Sequence, residues 1–326
     1  MRYLETGSVD PAYNLAFEEY VLTCKREGDY LILWQNDNTI VIGQNQNAEA
    51  EINRSVVERR KIHVVRRSTG GGAVYHDLGN LNYSFITNAG KLDTITMNRF
   101  TTPIVSALRK LGLPAEASGR NDILVGGVKV SGTAQRIYKD RILHHGTLLF
   151  DTDLFALDEA LCVTPEKYQA NGTASVRSRV GNILPMLQEK MEMSAFKEHL
   201  KKEFSVEDRG PLGLLETEAV KRLQFEKYDT WEWNFGRAPR CKMLNRHRWP
   251  GGVLEVHLET ERGRIKTIEF FGDFLSLADV SEIETCLENC VYRRDHVKRV
   301  LCDFPLQYYF GSILLEEILD SIFDAF

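Results

Sequence analysis

The amino-acid sequence predicts an α+β fold divided into one large and one small domain. Strand-like runs at 31–34 and 39–42 alternate with stretches of helical periodicity such as 100–111. At 326 residues the chain is long for a single hydrophobic core. Breaker-rich, basic residues cluster at 237–252, so we expect a large domain at 1–240 and a small C-terminal domain at 246–326.

The first predicted helix follows Asp10-Pro11, which has the composition of an N-cap and a first helical position. The apolar residues that then recur at helical spacing are Tyr13, Phe17, Tyr20 and Val21. We expect this face to contact the core.

Two strand-like runs follow, and the residues Asn36-Asp37-Asn38 between them have a turn composition. The pattern predicts a hairpin of 31–34 with 39–42. The amides Gln44-Asn45-Gln46-Asn47 come next, and they either orient a ligand or satisfy their own backbone. A polar helix is expected near 51–61.

The glycine run Gly70-Gly71-Gly72 lies between two more strand-like runs, 62–65 and 81–86. Successive glycines suit a main chain that needs positive φ or lies directly against a ligand. Arg66 and Arg67 precede them. The positive charge of two arginines, together with exposed backbone N–H groups, predicts a binding site for phosphate or carboxylate. A flexible hairpin tip is the alternative. Neither Gly-Lys-Ser/Thr nor GxGxxG is present at these glycines.

A helix is predicted at 100–111, because Phe100, Ile104, Leu108 and Leu111 share one face and Gly112 is a plausible stop. Downstream, Gly126-Gly127 predicts a tight hairpin. Lys129 then lies between two valines and points to the opposite face, towards a cleft if those valines pack in the core. A solvated edge lysine is the alternative.

Two further stretches carry candidate chemistry. His144 and His145 are adjacent in a strand-like run, so one must face away from the other. Residues 164–179 have the composition of a mobile loop with arginines, which predicts either a lid or an ordinary solvated loop. The C-terminal part predicts strands at 253–258 and 265–271 and helices within 279–302 and 311–325.

Composition excludes several classes of protein. A net charge of −5 and a pI near 6.0 argue against a general nucleic-acid binder. No apolar run has the length of a membrane span, and the start lacks signal-peptide character, so we expect a cytoplasmic protein. The six cysteines lack CxxC spacing, which indicates reduced thiols and disfavours a metal site.

Five stretches, in this order, resemble the lipoate-protein ligase A family. They are Arg-Arg-x-x-Gly-Gly-Gly-x-Val-x-His-Asp at 66–77, Gly-Arg-Asn-Asp with Lys-Val-Ser-Gly at 119–132, His-His-Gly-Thr-Leu-Leu at 144–149, Ser-Val-Arg-Ser-Arg-Val at 175–180 and Trp-Glu-Trp-Asn-Phe-Gly at 231–236. The resemblance implies a mixed β-sheet flanked by helices, the core shared by biotin protein ligases and class II synthetases, with a small C-terminal α+β domain.

The resemblance also implies an activity in two steps. Lipoate attacks the α-phosphorus of ATP to give lipoyl-AMP, and a lysine of an acceptor then takes the lipoyl group. Its substrates would be ATP and lipoate, with Mg²⁺, and its partners the lipoyl domains of 2-oxoacid dehydrogenase E2 subunits and the glycine cleavage H protein. Nucleic acid and membrane are not expected partners. Preference between lipoate and octanoate stays open.

Lys129 is the catalytic residue that the resemblance implies, as a fixed cation bridging carboxyl and phosphoryl oxygens. The residues implied to bind ATP and lipoyl-AMP are Arg67, Gly72, Ala73, Val74, Tyr75 and Lys129. Further pocket residues are Gly71, His76, Asp122 and His145. Protein spacing indicates no metal site, although Mg²⁺ would arrive with ATP, close to Asp122.

Two other functions remain open at this point. An ATP-independent lipoyl or octanoyl transferase would share the fold, and its thiol-dependent versions need a cysteine. No cysteine lies in 25–161, and Cys162 is expected to be structural. A non-catalytic lipoate-binding protein is the second alternative, which the intact Arg67, glycines and Lys129 disfavour.

Overall fold

The structure is a computed structural model, and it describes residues 1–46, 48–90, 97–119, 121–161, 180–208, 210–235, 243–261 and 264–323. These residues form two compact units. The first unit contains Met1–Val41, Ile52–Val65 and Val74–Thr230, and the second contains Ile42–Glu51, Arg66–Ala73 and Trp231–Phe326. The domain limits 1–240 and 246–326 stay a prediction.

The strands of the described residues are given in chain order. They are β1 (Arg2–Leu4), β2 (Tyr30–Trp34), β3 (Thr39–Ile42), β4 (His63–Arg66), β5 (Val74–His76), β6 (Asn80–Asn88), β7 (Ala115–Ser118), β8 (Asp122–Val125), β9 (Val128–Tyr138), β10 (Arg141–Leu149), β11 (Glu207–Asp208), β12 (Met243–Trp249), β13 (Gly252–Glu261) and β14 (Arg264–Gly272).

The first unit is built on a large mixed sheet. Within the described part of the chain its order is β11-β1-β2-β6-β10-β9-β8-β7. Strand β1 is parallel to β2 and β11, and the other neighbouring pairs are antiparallel. The predicted mixed sheet with flanking helices is therefore confirmed.

The helices are short to medium in length. They are Pro11–Cys24 (α1), Ala48–Glu51, Arg54–Arg60, Asn98–Lys110, Leu154–Ala160, Met193–Glu203, Leu214–Leu223, Trp231–Asn234, Ser281–Leu287, Arg294–Cys302, Leu306–Phe310 and Leu315–Phe323, with a 3₁₀ turn at Leu184–Met186 and a π turn at Gln224–Tyr228. Among the described residues, none of these helices combines the length and apolar character that a bilayer crossing requires.

Helix α1 begins where the sequence predicted. Asp10 accepts a hydrogen bond from the backbone N–H of Ala12 at 2.9 Å, and Pro11 occupies the first turn. Phe17 and Val21 are buried as expected, whereas Tyr13 and Tyr20 are only half-buried. The polar residues that the helix also buries are Asn14, Glu18 and Glu19. Apolar periodicity did not indicate these three.

The predicted hairpin of β2 with β3 is wrong. Strand β2 pairs with β1 and β6, whereas β3 belongs to a separate sheet of order β4-β3-β5. Asn36, in the expected turn, is buried; its amide oxygen accepts from Asn14 Nδ2 at 3.0 Å, and its Nδ2 lies 3.1 Å from His76 Nδ1. The side-chain amide of Asn36 therefore forms tertiary hydrogen bonds. The chain runs from β2 in the large sheet to β3 in the three-stranded sheet instead of forming a hairpin.

The strand that directly follows the glycine run is β5, at Val74–His76. It is shorter than the strand predicted at 81–86 and begins earlier in the chain. Three residues of β5 pair antiparallel with β3, with Val74 opposite Val41 and His76 opposite Thr39. The run at 81–86 lies in β6 of the large sheet. A strand of three residues is too short to show a period of two in the sequence.

The C-terminal part of the second unit is a small α+β fold, as predicted. Strands β12, β13 and β14 form an antiparallel sheet. Its buried strand residues include Leu254, Val256 and Leu258. Strand β12 was missed, because its alternation is obscured by polar and basic residues within a segment interpreted as a domain boundary.

The helix Asn98–Lys110 packs on the large sheet through the predicted residues. Phe100, Ile104 and Leu108 are buried, and Gly112 ends the helix with φ of +79°. His144 of β10 stacks on Phe100 with ring centroids 4.9 Å apart. Burial, assisted by neighbouring His145, lowers the pKa of His144 to about 3.

This buried histidine should make stability fall in mild acid. The unfolded chain, with a histidine pKa of about 6.5, binds more protons than the folded chain below that pH. Stability from His144 is therefore complete above the unfolded pKa and is lost as pH falls towards the folded value of about 3. From about pH 7.5 to about pH 5.5 we expect a loss of about 1.4 kcal/mol in the free energy of unfolding.

Urea unfolding of the wild type and of His144→Gln at both pH values measures this effect. The variant should lose about 1.4 kcal/mol less than the wild type between the two pH values. The control is His63→Gln, because His63 is exposed and its loss should leave the wild-type dependence unchanged. Equal losses in wild type and His144→Gln would contradict the prediction.

Candidate functional site

The predicted site residues fall into two groups, one in each compact unit. The first unit holds Val74, Tyr75, His76, Asp122, Lys129 and His145. The second unit holds Arg67, Gly71, Gly72 and Ala73. Each group is described within its own unit.

Lys129 lies directly after the β8–β9 turn. Gly126 and Gly127 both have positive φ, +57° and +82°, as a two-residue hairpin turn requires. Val130 is fully buried and Val128 is half-buried, so the lysine side chain points away from the core with 34% of it exposed. The predicted hairpin and the predicted orientation are confirmed.

The ammonium of Lys129 is held by a carboxylate of the same hairpin. Its Nζ lies 2.7 Å from Asp122 Oδ1. A β-bulge between Ile123 and Leu124 separates the two residues along the ladder. The backbone carbonyl of Lys129 accepts from Gly181 N at 2.9 Å. The cation is therefore partly exposed and fixed at both its main chain and its side chain.

Tyr75 belongs to strand β5 and is buried. Its hydroxyl donates to Asn38 Oδ1 at 3.1 Å. Burial raises the pKa of Tyr75 to about 12, and the nearby carboxylate of Asp77 contributes in the same direction. The phenol therefore stays protonated and acts as a hydrogen-bond donor. Val74 is half-buried beside it.

His76 is oriented by an amide. Asn36 Nδ2 lies 3.1 Å from His76 Nδ1, and because an amide nitrogen can only donate, Nδ1 is the acceptor. The ring lies edge-on to Trp34, with centroids 6.4 Å apart. His76 is buried in this network.

His145 contacts a buried carboxylate on α1. Its Nδ1 lies 2.8 and 3.0 Å from the two oxygens of Glu18. Glu18 also accepts from Ser84 Oγ at 2.5 Å, and Ser84 Oγ accepts from Trp34 Nε1 at 2.9 Å. His144 faces the other side of the sheet, so the expectation that the two histidines diverge is confirmed.

A second buried carboxylate, Glu19, lies next to Glu18 and was also missed. It accepts from Lys227 Nζ at 2.7 Å, from Tyr228 Oη at 2.5 Å and from Arg136 Nη1 at 3.1 Å. Burial alone would raise the pKa of Glu19, but Lys227 and Arg136 outweigh it and lower that pKa. An acidic pair inside a helix with a broad apolar face is the sequence signal that would have indicated both residues.

In the second unit, Arg67 binds the glycine run that follows it. Its Nε donates to Thr69 Oγ1 at 3.0 Å, and its Nη2 donates to the carbonyls of Gly70 at 2.7 Å and Gly72 at 2.9 Å. The guanidinium therefore bridges both ends of the glycine run. We call residues 66–73 the glycine loop.

The three glycines of the loop have different reasons to lack a side chain. A Cβ on Gly70 would come within 2.6 Å of Ser276 N. Gly71 has a φ of +90°. A Cβ on Gly72 would meet only the Cβ of Asp273, at 4.0 Å. Packing and conformation account for the first two glycines, and they leave Gly72 beside open space. Ala73, which follows, is partly exposed.

The expectation that both arginines present charge to a ligand is wrong for Arg66, whose side chain is buried and whose guanidinium donates to backbone carbonyls of the same unit. Arg67 is also buried and donates to carbonyls of the glycine loop, and its role in ligand binding stays a prediction. Two of the amides after Gly43 make contacts within the unit: Gln46 Oε1 accepts from Gly43 N at 2.8 Å, and Asn45 Nδ2 donates to Ser276 Oγ at 3.0 Å. The Gln46 contact agrees with the alternative in which these amides satisfy their own backbone, and Asn47 lies outside the described residues.

Two sequence predictions lie outside the described residues: the lid at 164–179 and the structural role of Cys162. Within the described ranges, no group of three or more histidines, cysteines, aspartates or glutamates is arranged to hold a metal ion.

Solved structures share this fold. P. falciparum LipL1 in complex with lipoate superimposes with a TM-score of 0.79 at 24% identity, covering 93% of this chain and 95% of that one. A lipoate-protein ligase A bound with ATP matches at 29% identity and TM-score 0.62, covering 73% and 99%. A bipartite lipoate protein ligase from Thermoplasma acidophilum, described with its E2 lipoyl domain, matches at 28% and 0.63, covering 74% and 98%.

Sequence comparisons extend over nearly the whole chain. The model for the lipoyl protein ligase A/B catalytic domain matches residues 10–205, and that for the bacterial lipoate protein ligase C-terminus matches 238–322. Lipoate-protein ligase LplJ of Bacillus subtilis is 44% identical over 99% of this chain and 100% of its own length. Lipoate--protein ligase 1 of Staphylococcus aureus is 39% identical over 98% and 99%. Because one family model matches more than half of the chain and two relatives align with nearly all of it, the chain belongs to the lipoate-protein ligase family.

Proposed function

We propose that this protein is an ATP-dependent lipoate-protein ligase. The lipoate carboxylate attacks the α-phosphorus of ATP, which gives lipoyl-AMP and releases pyrophosphate. The ε-amine of an acceptor lysine then attacks the lipoyl carbonyl, loses a proton and releases AMP. The observation that carries the proposal is Lys129, a partly exposed ammonium that the hairpin fixes within the family motif. The names of relatives aligned over the whole chain support it.

The first step brings together two anions, and the residues of the first unit suit that problem. The ammonium of Lys129 forms an ion pair with Asp122, in which Nζ lies 2.7 Å from Oδ1. Its N–H donors are suited to oxygens of the lipoate carboxylate and the α-phosphate, where preorganised positive charge stabilises the developing transition state. Lys129 acts as a fixed cation, because an acyl-lysine amide would be too stable to pass its acyl group on.

The glycine loop supplies the second set of donors in this proposal. Arg67 ties the loop through Gly70 and Gly72, and the open side of Gly72 lets a phosphate approach the main chain. Backbone N–H groups at 72–75 then bind the nucleotide and lipoyl-AMP. Tyr75 anchors the end of this segment, because its buried hydroxyl donates to Asn38 Oδ1.

Magnesium fits this site through Asp122. Mg²⁺ is commonly held by one or two carboxylates together with substrate phosphates, and Asp122 supplies one partly exposed carboxylate beside Lys129. When bound, Mg²⁺ would neutralise phosphate charge. Asp122 therefore has two roles in the proposal, to hold the Lys129 ammonium and to hold the metal.

The acceptors that we propose are lipoyl domains of E2 subunits and the glycine cleavage H protein. The bipartite ligase of Thermoplasma acidophilum is described with its E2 lipoyl domain, which supports the first of these. A thiol-dependent transferase is disfavoured, since the sequence holds no cysteine at 25–161 and Cys24 lies at the C-terminal end of α1.

Lipoate-dependent release of pyrophosphate from ATP tests the proposed function directly. A ligase releases one pyrophosphate for each lipoyl-AMP formed, so release should require lipoate and ATP together. An ATP-independent transferase or a lipoate-binding protein would release none. Absence of lipoate-dependent release in the folded wild-type chain would overturn the proposal.

Lys129→Ala should lower the rate of pyrophosphate release at least about a hundredfold, the usual effect of removing a preorganised donor of this kind. The matched control is Lys221→Ala, which removes one exposed lysine from the helix Leu214–Leu223 and should leave the rate unchanged. If Lys129→Ala stayed within a few-fold of the wild type, Lys129 would have no catalytic role.

Asp122→Asn should raise the Mg²⁺ concentration needed for half-maximal pyrophosphate release by about tenfold or more, because the site loses a charged oxygen ligand. Titration of activity with MgCl₂ measures the shift, and EDTA should abolish release in the wild type. Asp140→Asn is the control, since Asp140 pairs with Arg26 in an exposed ion pair. An unchanged Mg²⁺ requirement in Asp122→Asn would place the metal elsewhere.

A further inference from the structure

We propose that Arg66 is a positioning residue for adenylation, and that Trp233 and Asn234 hold it in place. In this view Trp233 and Asn234 fix Arg66, and Arg66 fixes the glycine loop that we propose to bind the nucleotide. The inference rests on the proposed function. All residues that carry it lie in the second unit.

The guanidinium of Arg66 is buried and shared between two segments. Only 1% of the residue is exposed. Its Nη1 lies within hydrogen-bond distance of the carbonyls of Gly43, Gln44 and Gln46, at 2.9, 3.1 and 2.5 Å. Its Nε and Nη2 donate to the carbonyls of Trp233 and Asn234, at 2.9 and 3.0 Å. One side chain therefore cross-links residues 43–46 to residues 233–234.

The main chain of Arg66 is held by the same helix. Its N–H donates to Asn234 Oδ1 at 2.8 Å. Its carbonyl accepts from the indole Nε1–H of Trp233 at 2.8 Å. Trp233 and Asn234 thus contact Arg66 through both side-chain and backbone groups, and this fixes the direction in which the chain enters the glycine loop.

Residues 43–46 in turn pack directly on the glycine loop. Gln44 N donates to the carbonyl of Thr69 at 2.8 Å. Gly43 approaches the carbonyl of Gly71 so closely that a Cβ at position 43 would overlap its oxygen. A displacement of 43–46 would therefore displace Thr69 and Gly71. Arg66 prevents it, because it binds three carbonyls of this segment.

The link to chemistry is the residue that follows Arg66. Arg67 N donates to the carbonyl of Ile42 at 2.9 Å, and its side chain bridges Gly70 and Gly72. Catalysis by preorganised donors depends on their placement to a fraction of an ångström. Loosening Arg66 should therefore weaken nucleotide binding and adenylation, and leave lipoate binding unaffected.

Trp233→Phe tests the inference with the smallest change. It keeps an aromatic ring and removes the indole donor to the Arg66 carbonyl. We expect the KM for ATP to rise about threefold to tenfold, the effect of one hydrogen bond, with the KM for lipoate within about twofold of the wild type. The matched control is Trp231→Phe, since Trp231 is 63% exposed and stacks on Phe235. That control should leave both KM values unchanged.

Asn234 provides a rescue experiment. Asn234→Ala removes the oxygen that accepts from Arg66 N, and the KM for ATP should rise about tenfold. Asn234→Asp retains an acceptor oxygen and should restore most of the wild-type value. A merely structural role would instead lower activity in proportion to the folded fraction, without separating the two KM values.

Hydrogen–deuterium exchange at residues 67–73 gives a readout besides activity. Amide exchange there should be faster in Trp233→Phe and Asn234→Ala than in the wild type and in Trp231→Phe. Variants that fold normally, with wild-type exchange and wild-type KM for ATP, would overturn the inference. A wild type that releases no pyrophosphate would instead overturn the proposed function, and exchange would still decide whether Trp233 and Asn234 position the loop.

Discussion

A buried guanidinium is the constraint on which the second unit depends. Arginine keeps its proton inside a protein, so a fold that buries Arg66 must surround it with acceptors. Backbone carbonyls from residues 43–46 and 233–234 meet that need. Unlike a carboxylate, a carbonyl does not cancel the positive charge. The solution therefore fixes three chain segments together and leaves a cation beneath a loop that we propose to bind phosphates.

In the first unit the buried charge is negative, because α1 buries two adjacent carboxylates, Glu18 and Glu19. Glu18 accepts from Ser84 and contacts His145, which ties the helix to β6 and β10. Glu19 contacts Lys227 and Arg136, which ties the same helix to the π turn and β9. Breaking either set would leave a buried charge without compensation. The polar face of α1 is thus as structural as its apolar face.

Sequence reasoning succeeded where a local rule decides the structure. The Asp10 cap, the glycine hairpin before Lys129 and the helix ending at Gly112 each depend on neighbouring residues alone. It failed at Asn36. This residue type favours a turn, but here its side-chain amide contacts His76, which lies in a different sheet from β2. It also missed Glu18 and β12, because nothing adjacent in sequence reveals the partners of a buried charge or the packing of a polar strand. The family motifs indicated the site residues, and their roles remain predictions.

The glycine loop shows why a motif alone does not assign roles to its residues. Arg66 and Arg67 are adjacent, identical in type and both buried, yet Arg66 binds two other segments whereas Arg67 bridges the glycines that follow. Gly70 is required by packing against Ser276, and Gly71 by its positive φ. Only Gly72 leaves space beside its main chain. If a phosphate approaches the backbone of this loop, Gly72 is where the fold leaves room for it, and the two glycines before it serve to place it there.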